Sequence, residues 1–242
     1  MKNIFMLFAL IALGFAAGCV QLEQDLTLKA DGSGVVQVAY AAPEGEQTMM
    51  QQAAQAMLQQ TLAVSGGGNR LPQDMSDADI KKQFEAYAKL GVKLEQLSTE
   101  RKAGRVIRRG VISFKTLDGL AHALLPERTV ALTRDARGNY QLVQQSGGER
   151  TMASRIGTVA ADDSNPLVAE LFKGFRATLR VTTPGKILDG NATQMEGATA
   201  VWRFDFDRDA QAVTKLLQRP MRLTFAGAGL KLAPCAHRAG EP

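Results

Sequence analysis

Side chains that carry most enzymatic chemistry are sparse in this chain. His122 and His237 are its only histidines, and they lie far apart in the sequence. Neither is separated from a cysteine or from the other histidine by the spacing typical of zinc ligands. No G-x-S-x-G elbow, P-loop or G-x-G-x-x-G motif is present. We therefore expect no metal, no cofactor and no enzymatic activity.

Two acidic pairs are the remaining candidates for catalysis. Asp205 and Asp207 alternate along a predicted strand, so both would project from its solvent face and could hold Ca²⁺. The alternative is a solvated face followed by a helix cap. Asp162 and Asp163 form the second pair. A hydrolase that works through these carboxylates is an alternative function, which a pocket with convergent acidic residues would favour.

The N-terminus has the pattern of a secretory signal peptide. Lys2 precedes an apolar run, and small residues then lead into Cys19. The run is shorter than the roughly 20 residues of a membrane-spanning helix. A transmembrane anchor and a plain signal peptide cut near Ala17 are the alternatives. We predict that residues 1–18 are removed.

The small residues before Cys19 resemble the lipobox of bacterial lipoproteins, although Ala16 stands where that family most often has leucine. The resemblance implies that Cys19 is diacylated, with palmitate among the acyl chains, and that the new N-terminus is usually acylated too. Two or three acyl chains suffice for stable membrane anchoring. Val20 is not the aspartate of an inner-membrane retention signal. An outer-membrane protein that faces the periplasm is therefore expected.

Composition predicts a folded domain after the anchor. Apolar residues make up 45% of the chain and charged residues 22%, as in ordinary globular proteins. Without Lys2, 28 of the 29 basic side chains remain against 24 acidic ones, an excess too small to indicate nucleic-acid binding. Cys235 is the only cysteine besides Cys19, so an internal disulfide is excluded, and we interpret Cys235 as an incidental thiol.

Alternation of apolar and polar residues predicts several strands. Three hairpins are expected, with turns at 31–34, 103–104 and 135–138. Strands are also expected at 175–183, 202–207 and 221–225. This pattern predicts an α+β fold: residues 19–242 form a single domain with a mostly antiparallel sheet and helices packed on one face.

Helical spacing occurs between these strands. Residues 44–63 carry a methionine-rich stripe, interpreted as a core face, with contact to lipid as the alternative. Ser76 and Asp79 have the spacing of a capping box for the next helix, and together the two helices form an insertion at about 44–90. Further helices are predicted at 117–124, at 165–172 and after Asp207, which would cap the last one.

Two segments together resemble a bacterial lipoprotein domain of the LppM type. One is Leu26–Gly34 in the first hairpin, and the other is Val181–Ile187, followed by Asn191 and the strand of Trp202. The long helical insertion departs from that pattern. The resemblance implies an exported, lipid-anchored protein of a family for which lipid or glycolipid binding has been suggested. It implies no catalytic residue.

The second predicted hairpin concentrates positive charge. Five cations lie within nine residues of its turn: Arg101, Lys102, Arg105, Arg108 and Arg109. They could meet anionic lipid head groups, lipopolysaccharide phosphates or peptidoglycan carboxylates. The alternative is a solvated tip whose charge is partly offset by Glu95 and Glu100.

The sequence as a whole favours a non-enzymatic envelope lipoprotein that binds lipid, glycolipid or a protein partner. Such a protein should present the cations of the second hairpin toward the membrane or beside an apolar cleft. A structural subunit of an envelope complex is a further alternative, and it would expose a large apolar patch.

Overall fold

The computed structural model describes residues 20–43, 76–124, 128–146 and 172–237. Within these ranges the strands are β1 Gln21–Leu28, β2 Gly34–Pro43, β3 Val92–Lys102, β4 Arg105–Phe114, β5 Arg128–Arg134, β6 Tyr140–Ser146, β7 Arg176–Thr182, β8 Ile187–Gly190, β9 Gln194–Glu196, β10 Thr199–Asp205, β11 Met221–Phe225 and β12 Cys235–His237. The helices are α1 Asp77–Tyr87, α2 Leu117–Leu124 and α3 Ala212–Gln218, with a 3₁₀ turn at Ala88–Leu90. The α+β class is confirmed, and strands dominate it.

The strands form two sheets. Sheet A has seven strands in the order β3-β4-β2-β1-β7-β10-β9, and sheet B has five in the order β12-β5-β6-β11-β8. Sheet B is antiparallel throughout. Sheet A is mixed because β1 and β7 run parallel, with Gln21 opposite Arg176. The prediction of one mostly antiparallel sheet was incomplete, since a parallel pair between distant segments has no hairpin turn to reveal it.

The three predicted hairpins are confirmed as β1–β2, β3–β4 and β5–β6. Among these three hairpins, β3–β4 has the shortest turn, formed by Ala103 and Gly104, whose φ angles are 51° and 68°. Positive φ at both central residues gives a turn whose twist matches that of paired strands. This turn carries the hairpin that contains the predicted cations.

Apolar side chains of both sheets and of the helices share one core. Its largest fully buried members include Phe175, Phe225 and Ile112. Helix α1 contributes Ile80 and Phe84 to it. The capping box at Ser76 is confirmed, with the backbone N–H of Asp79 donating to Ser76 Oγ. Helix α1 is therefore fixed at its first turn and through its apolar face.

Several predictions lie outside the described residues and remain predictions. They are the signal peptide with Cys19, the helix at 44–63, the whole of the segment 147–171 with all but the last residue of the helix at 165–172, and the acidic pair Asp162 and Asp163. The single-domain boundary at 19–242 and the full extent of the insertion at 44–90 likewise stay untested; of that insertion, the structure describes α1 and the 3₁₀ turn.

Candidate functional site

The cations of the β3–β4 hairpin occupy three different environments. Arg101 and Lys102 at the end of β3 are exposed, and Arg105 at the start of β4 is half-buried. Lys102 pairs with Arg105 across the turn, which gathers these three cations at one end of sheet A. We call Arg101, Lys102 and Arg105 the basic tip.

The prediction that Arg108 belongs to a surface patch was wrong. It is 8% exposed and lies on the core side of β4 with Val106 and Ile112. Its Nε donates to Thr99 Oγ1 at 3.0 Å, and one of its terminal nitrogens lies 3.7 Å from Asp77 Oδ1. Burial lowers the pKa of Arg108, while the carboxylate of Asp77 opposes that change. Arg108 therefore joins α1 to sheet A and is not part of the accessible surface.

Tyr40 lies directly across from Arg108 on β2. Its side chain is 5% exposed, and burial raises the pKa of its phenol to about 12, with Arg108 acting in the opposite direction. The phenol therefore stays protonated at physiological pH. On the core side of the hairpin, buried polar side chains therefore connect sheet A with α1.

Arg109 belongs to the opposite face of sheet A. Its guanidinium lies 3.7 Å from Glu100 Oε2, and both side chains are more than half exposed. Arg109 also borders a groove of about 690 Å³ whose rim includes Glu23, Asp25 and Glu95. The groove beside Arg109 is polar, in contrast to the apolar cleft expected as one setting for these cations.

The basic tip lies at the end of sheet A where β1 begins. Gln21, the first residue of β1, is opposite Ala41 on β2, and Arg105 is opposite Pro43, two residues further toward the same end. The preceding residue, Val20, is 2% exposed, and its carbonyl oxygen accepts a hydrogen bond from the Arg176 N–H. Val20, the residue next to Cys19, is thus packed into the domain at the end of the sheet that carries the basic tip.

The two histidines, distant in sequence, meet in the fold. Helix α2 and strand β12 bring the rings of His122 and His237 to a centroid distance of 4.3 Å. His122 Nδ1 lies 3.5 Å from Asp118 Oδ2, and the Cys235 thiol donates to the Val130 carbonyl at 3.4 Å. Sequence reasoning missed this cluster, although Asp118 and His122 have helical i,i+4 spacing and Cys235 and His237 have strand i,i+2 spacing.

The side chains of the histidine cluster pack against one another and show no sign of a reactive site. Burial raises the pKa of Cys235, so its thiol is protonated and a weak nucleophile. Across the described ranges, no group of three or more His, Cys, Asp or Glu side chains is placed to hold a metal ion. The interpretation of Cys235 as an incidental thiol agrees with its burial.

Asp205 and Asp207 are held by arginine. Arg176 Nε lies 3.4 Å from Asp205 Oδ2, and a terminal nitrogen of Arg176 lies 3.5 Å from Asp207 Oδ2. Asp207 Oδ1 also accepts from the Gly174 N–H at 2.8 Å. Because the cation of Arg176 already compensates both carboxylates, the pair is an ion-pair network of the sheet surface.

The predicted helix cap at Asp207 was wrong. Helix α3 begins at Ala212, five residues later, and Asp207 instead accepts from Gly174. Asp209 performs the nearest equivalent role, since its Oδ1 accepts from the Gln211 N–H and its Oδ2 from Lys215 Nζ at 2.6 Å. These bonds lower the pKa of Asp209.

The residues behind the family resemblance join the two sheets. Thr183 is buried, and its hydroxyl donates to the Gly185 carbonyl at 2.7 Å, with the Ala198 carbonyl 3.2 Å away. A Cβ on Gly185 would overlap the carbonyl oxygen of Ala226. The backbone of this turn therefore packs directly against the end of β11.

Asn191 completes that junction. Its Oδ1 accepts from Trp202 Nε1 at 3.2 Å and from the Arg222 N–H at 2.9 Å, while its Nδ2 donates to the Pro220 carbonyl at 2.6 Å. One amide thus links β10 of sheet A to the chain entering β11 of sheet B. These motif residues have structural roles.

The described part of the chain is an α+β protein of two sheets with a basic tip beside its N-terminal strand. No helix within it is long and apolar enough to cross a membrane. No protein-family model and no curated protein matches the chain. A similar solved structure is the NMR structure of the folded domain of the Mycobacterium tuberculosis protein LppM, at 13% identity, with 86% of this chain and 90% of that chain covered and a TM-score of 0.42. It is a domain of the type that the two turn segments resemble.

Proposed function

We propose that this chain is a non-enzymatic, lipid-anchored protein of the bacterial cell envelope, whose domain binds its partner while held at the membrane surface. The observation that carries the proposal is the burial of Val20, which follows the predicted acylation site Cys19 without a linker. Adjacent Cα atoms are only about 3.8 Å apart, so acyl chains on Cys19 would hold the domain against the bilayer.

The partner class follows from the surface beside the anchor. The basic tip favours a partner that presents anionic groups, as lipids, glycolipids and acidic envelope proteins do. The outer membrane facing the periplasm remains the proposed location, and nucleic acid is not a proposed partner.

A non-enzymatic role is favoured by the state of the reactive groups. The Cys235 thiol is buried with a raised pKa, and Arg176 compensates the carboxylates of Asp205 and Asp207. General acid–base chemistry needs groups whose pKa values suit proton transfer near neutral pH and that can reach a substrate. These side chains instead stabilise the fold.

The anchor is tested by fatty-acid labelling in cells that express the full chain. We expect labelled palmitate in the wild type and in Cys235→Ser, and none in Cys19→Ser. The predicted mature chain begins at Cys19, so a chain that starts at Val20 behind an ordinary cleavable signal peptide should fold and be soluble in the periplasm. Label retained in Cys19→Ser, or membrane retention of the chain that starts at Val20, would contradict the proposed anchoring.

A further inference from the structure

We propose that the basic tip docks onto the anionic phospholipid head groups of the membrane that holds the chain, so that the domain stands on the bilayer with one defined end. The direction of docking rests on the proposed lipid anchor. The docking surface itself belongs to the folded domain and is testable without the anchor.

Strand register supports this arrangement. Strands β1, β2, β4 and β3 are successive neighbours in sheet A, so the hairpin lies roughly 10–14 Å to the side of β1 at strand spacings of about 4.8 Å. Arg105 lies two residue positions beyond the level of Gln21, which is about 7 Å along the strand. Because Cys19 precedes Gln21 by two residues, its acyl chains can reach the membrane at the level of the tip.

The charge of the tip suits an anionic surface. Arg101 and Lys102 are exposed beside the half-buried Arg105, at a turn that ends the hairpin. Head groups of anionic lipids attract each nearby cation, and three cations together change binding on the order of 100-fold. Arg109 and Glu100 form their own ion pair on the solvent face, and Arg108 is buried behind the tip.

The opposite end of sheet A offers a matched control. Lys29, Lys93 and Lys115 are exposed at the far end of the same sheet: Lys29 follows β1, Lys115 follows β4, and Lys93 is the second residue of β3. The register confirms this position, because Phe114 pairs there with both Gly34 and Val92. Changing either set to glutamine removes three positive charges, so the two variants differ only in which end loses them.

The experiment measures binding of the chain that starts at Val20 to vesicles of phosphatidylcholine, with or without phosphatidylglycerol. We expect salt-sensitive binding to the anionic vesicles alone, since salt near 1 M shortens the screening length to about 3 Å. Arg101→Gln/Lys102→Gln/Arg105→Gln should bind on the order of 100-fold more weakly. The distal triple variant should retain the wild-type affinity for anionic vesicles.

A charge-preserving variant separates docking from folding defects. Arg101→Lys/Arg105→Lys keeps the three charges and should bind like the wild type, and thermal unfolding of every variant shows whether it is folded. Equal loss of binding in the tip and distal variants would overturn the proposal, as would wild-type binding by the tip variant. Absence of salt-sensitive binding in the wild type would also overturn it.

Different assays test the proposed anchor and the proposed docking surface, so each proposal can be refuted without the other. Missing fatty acid on Cys19, with intact vesicle binding by the domain, would refute the anchor and leave the surface established. Fatty acid on Cys19 without vesicle binding would refute docking and leave the anchored protein established.

Discussion

Asn191→Ala should destabilise the junction between the two sheets by about 2 kcal/mol. Trp202 is 5% exposed, so its indole N–H loses its acceptor in a place that water reaches poorly. An unsatisfied buried donor costs about 1–3 kcal/mol. The bonds to Arg222 and Pro220 add less, because Asn191 itself is exposed and water can replace its amide there. Asn191→Asp keeps the acceptor oxygen for Trp202 and should cost less than Asn191→Ala, although it loses the donor to the Pro220 carbonyl.

Urea unfolding, monitored by tryptophan fluorescence, measures this loss of stability at the side chain that loses its hydrogen bond. Trp202 is the only tryptophan in the chain, so the signal reports the environment of that one side chain. Asp189→Ala changes an exposed residue of neighbouring β8 and should stay within about 0.5 kcal/mol of the wild type. The reasoning would be refuted if Asn191→Ala unfolded at the same urea concentration as Asp189→Ala.

Two further predictions concern packing and pH. Gly185→Ala places a methyl group on the Ala226 carbonyl and should cost roughly 1–3 kcal/mol in thermal unfolding, whereas Gly110→Ala meets ordinary contact distances and should be nearly neutral. The Lys215 hydrogen bond lowers the pKa of Asp209, so this carboxylate stabilises the fold above its unfolded pKa of about 3.9 and the contribution is lost as pH falls through the folded value. Asp209→Asn should therefore lower the urea midpoint at neutral pH, and the difference from wild type should shrink as the pH falls below about 3.9; a difference that does not shrink with falling pH would contradict the assignment.

Local structure was largely predictable because its causes are local. Alternating side chains and turn residues identified the hairpins β1–β2, β3–β4 and β5–β6, and the Ser76–Asp79 spacing identified the start of α1. The short hairpin β9–β10 was missed, since β9 has only three residues. The parallel pairing of β1 with β7 was not predictable in this way, since no short turn fixes the register of strands that lie about 150 residues apart in sequence. The division into two sheets follows from such long-range pairing.

The candidate site was predictable only in part. Its five cations cluster in sequence, but successive residues of a strand project to opposite faces. Arg108 shares the alternation of Val106 and Ile112, which is the signal that could have placed it in the core. The histidine cluster was not predicted because its members come from α2 and β12, which meet only through the tertiary fold.

The orientation of the domain on the membrane tests the central claim most directly. Lys93 near the start of β3 and Ala103 in the turn after β3 lie ten residues apart, which separates them by about 30 Å. Both are exposed, and Lys93→Cys and Ala103→Cys leave the three cations of the basic tip in place. Each variant can carry one fluorophore in the acylated protein, because Cys235 is 2% exposed. Spin-labelled head groups in anionic vesicles should quench the fluorophore at 103 strongly and the one at 93 hardly at all. Equal quenching at the two positions, or stronger quenching at 93, would contradict a domain that stands on its basic tip.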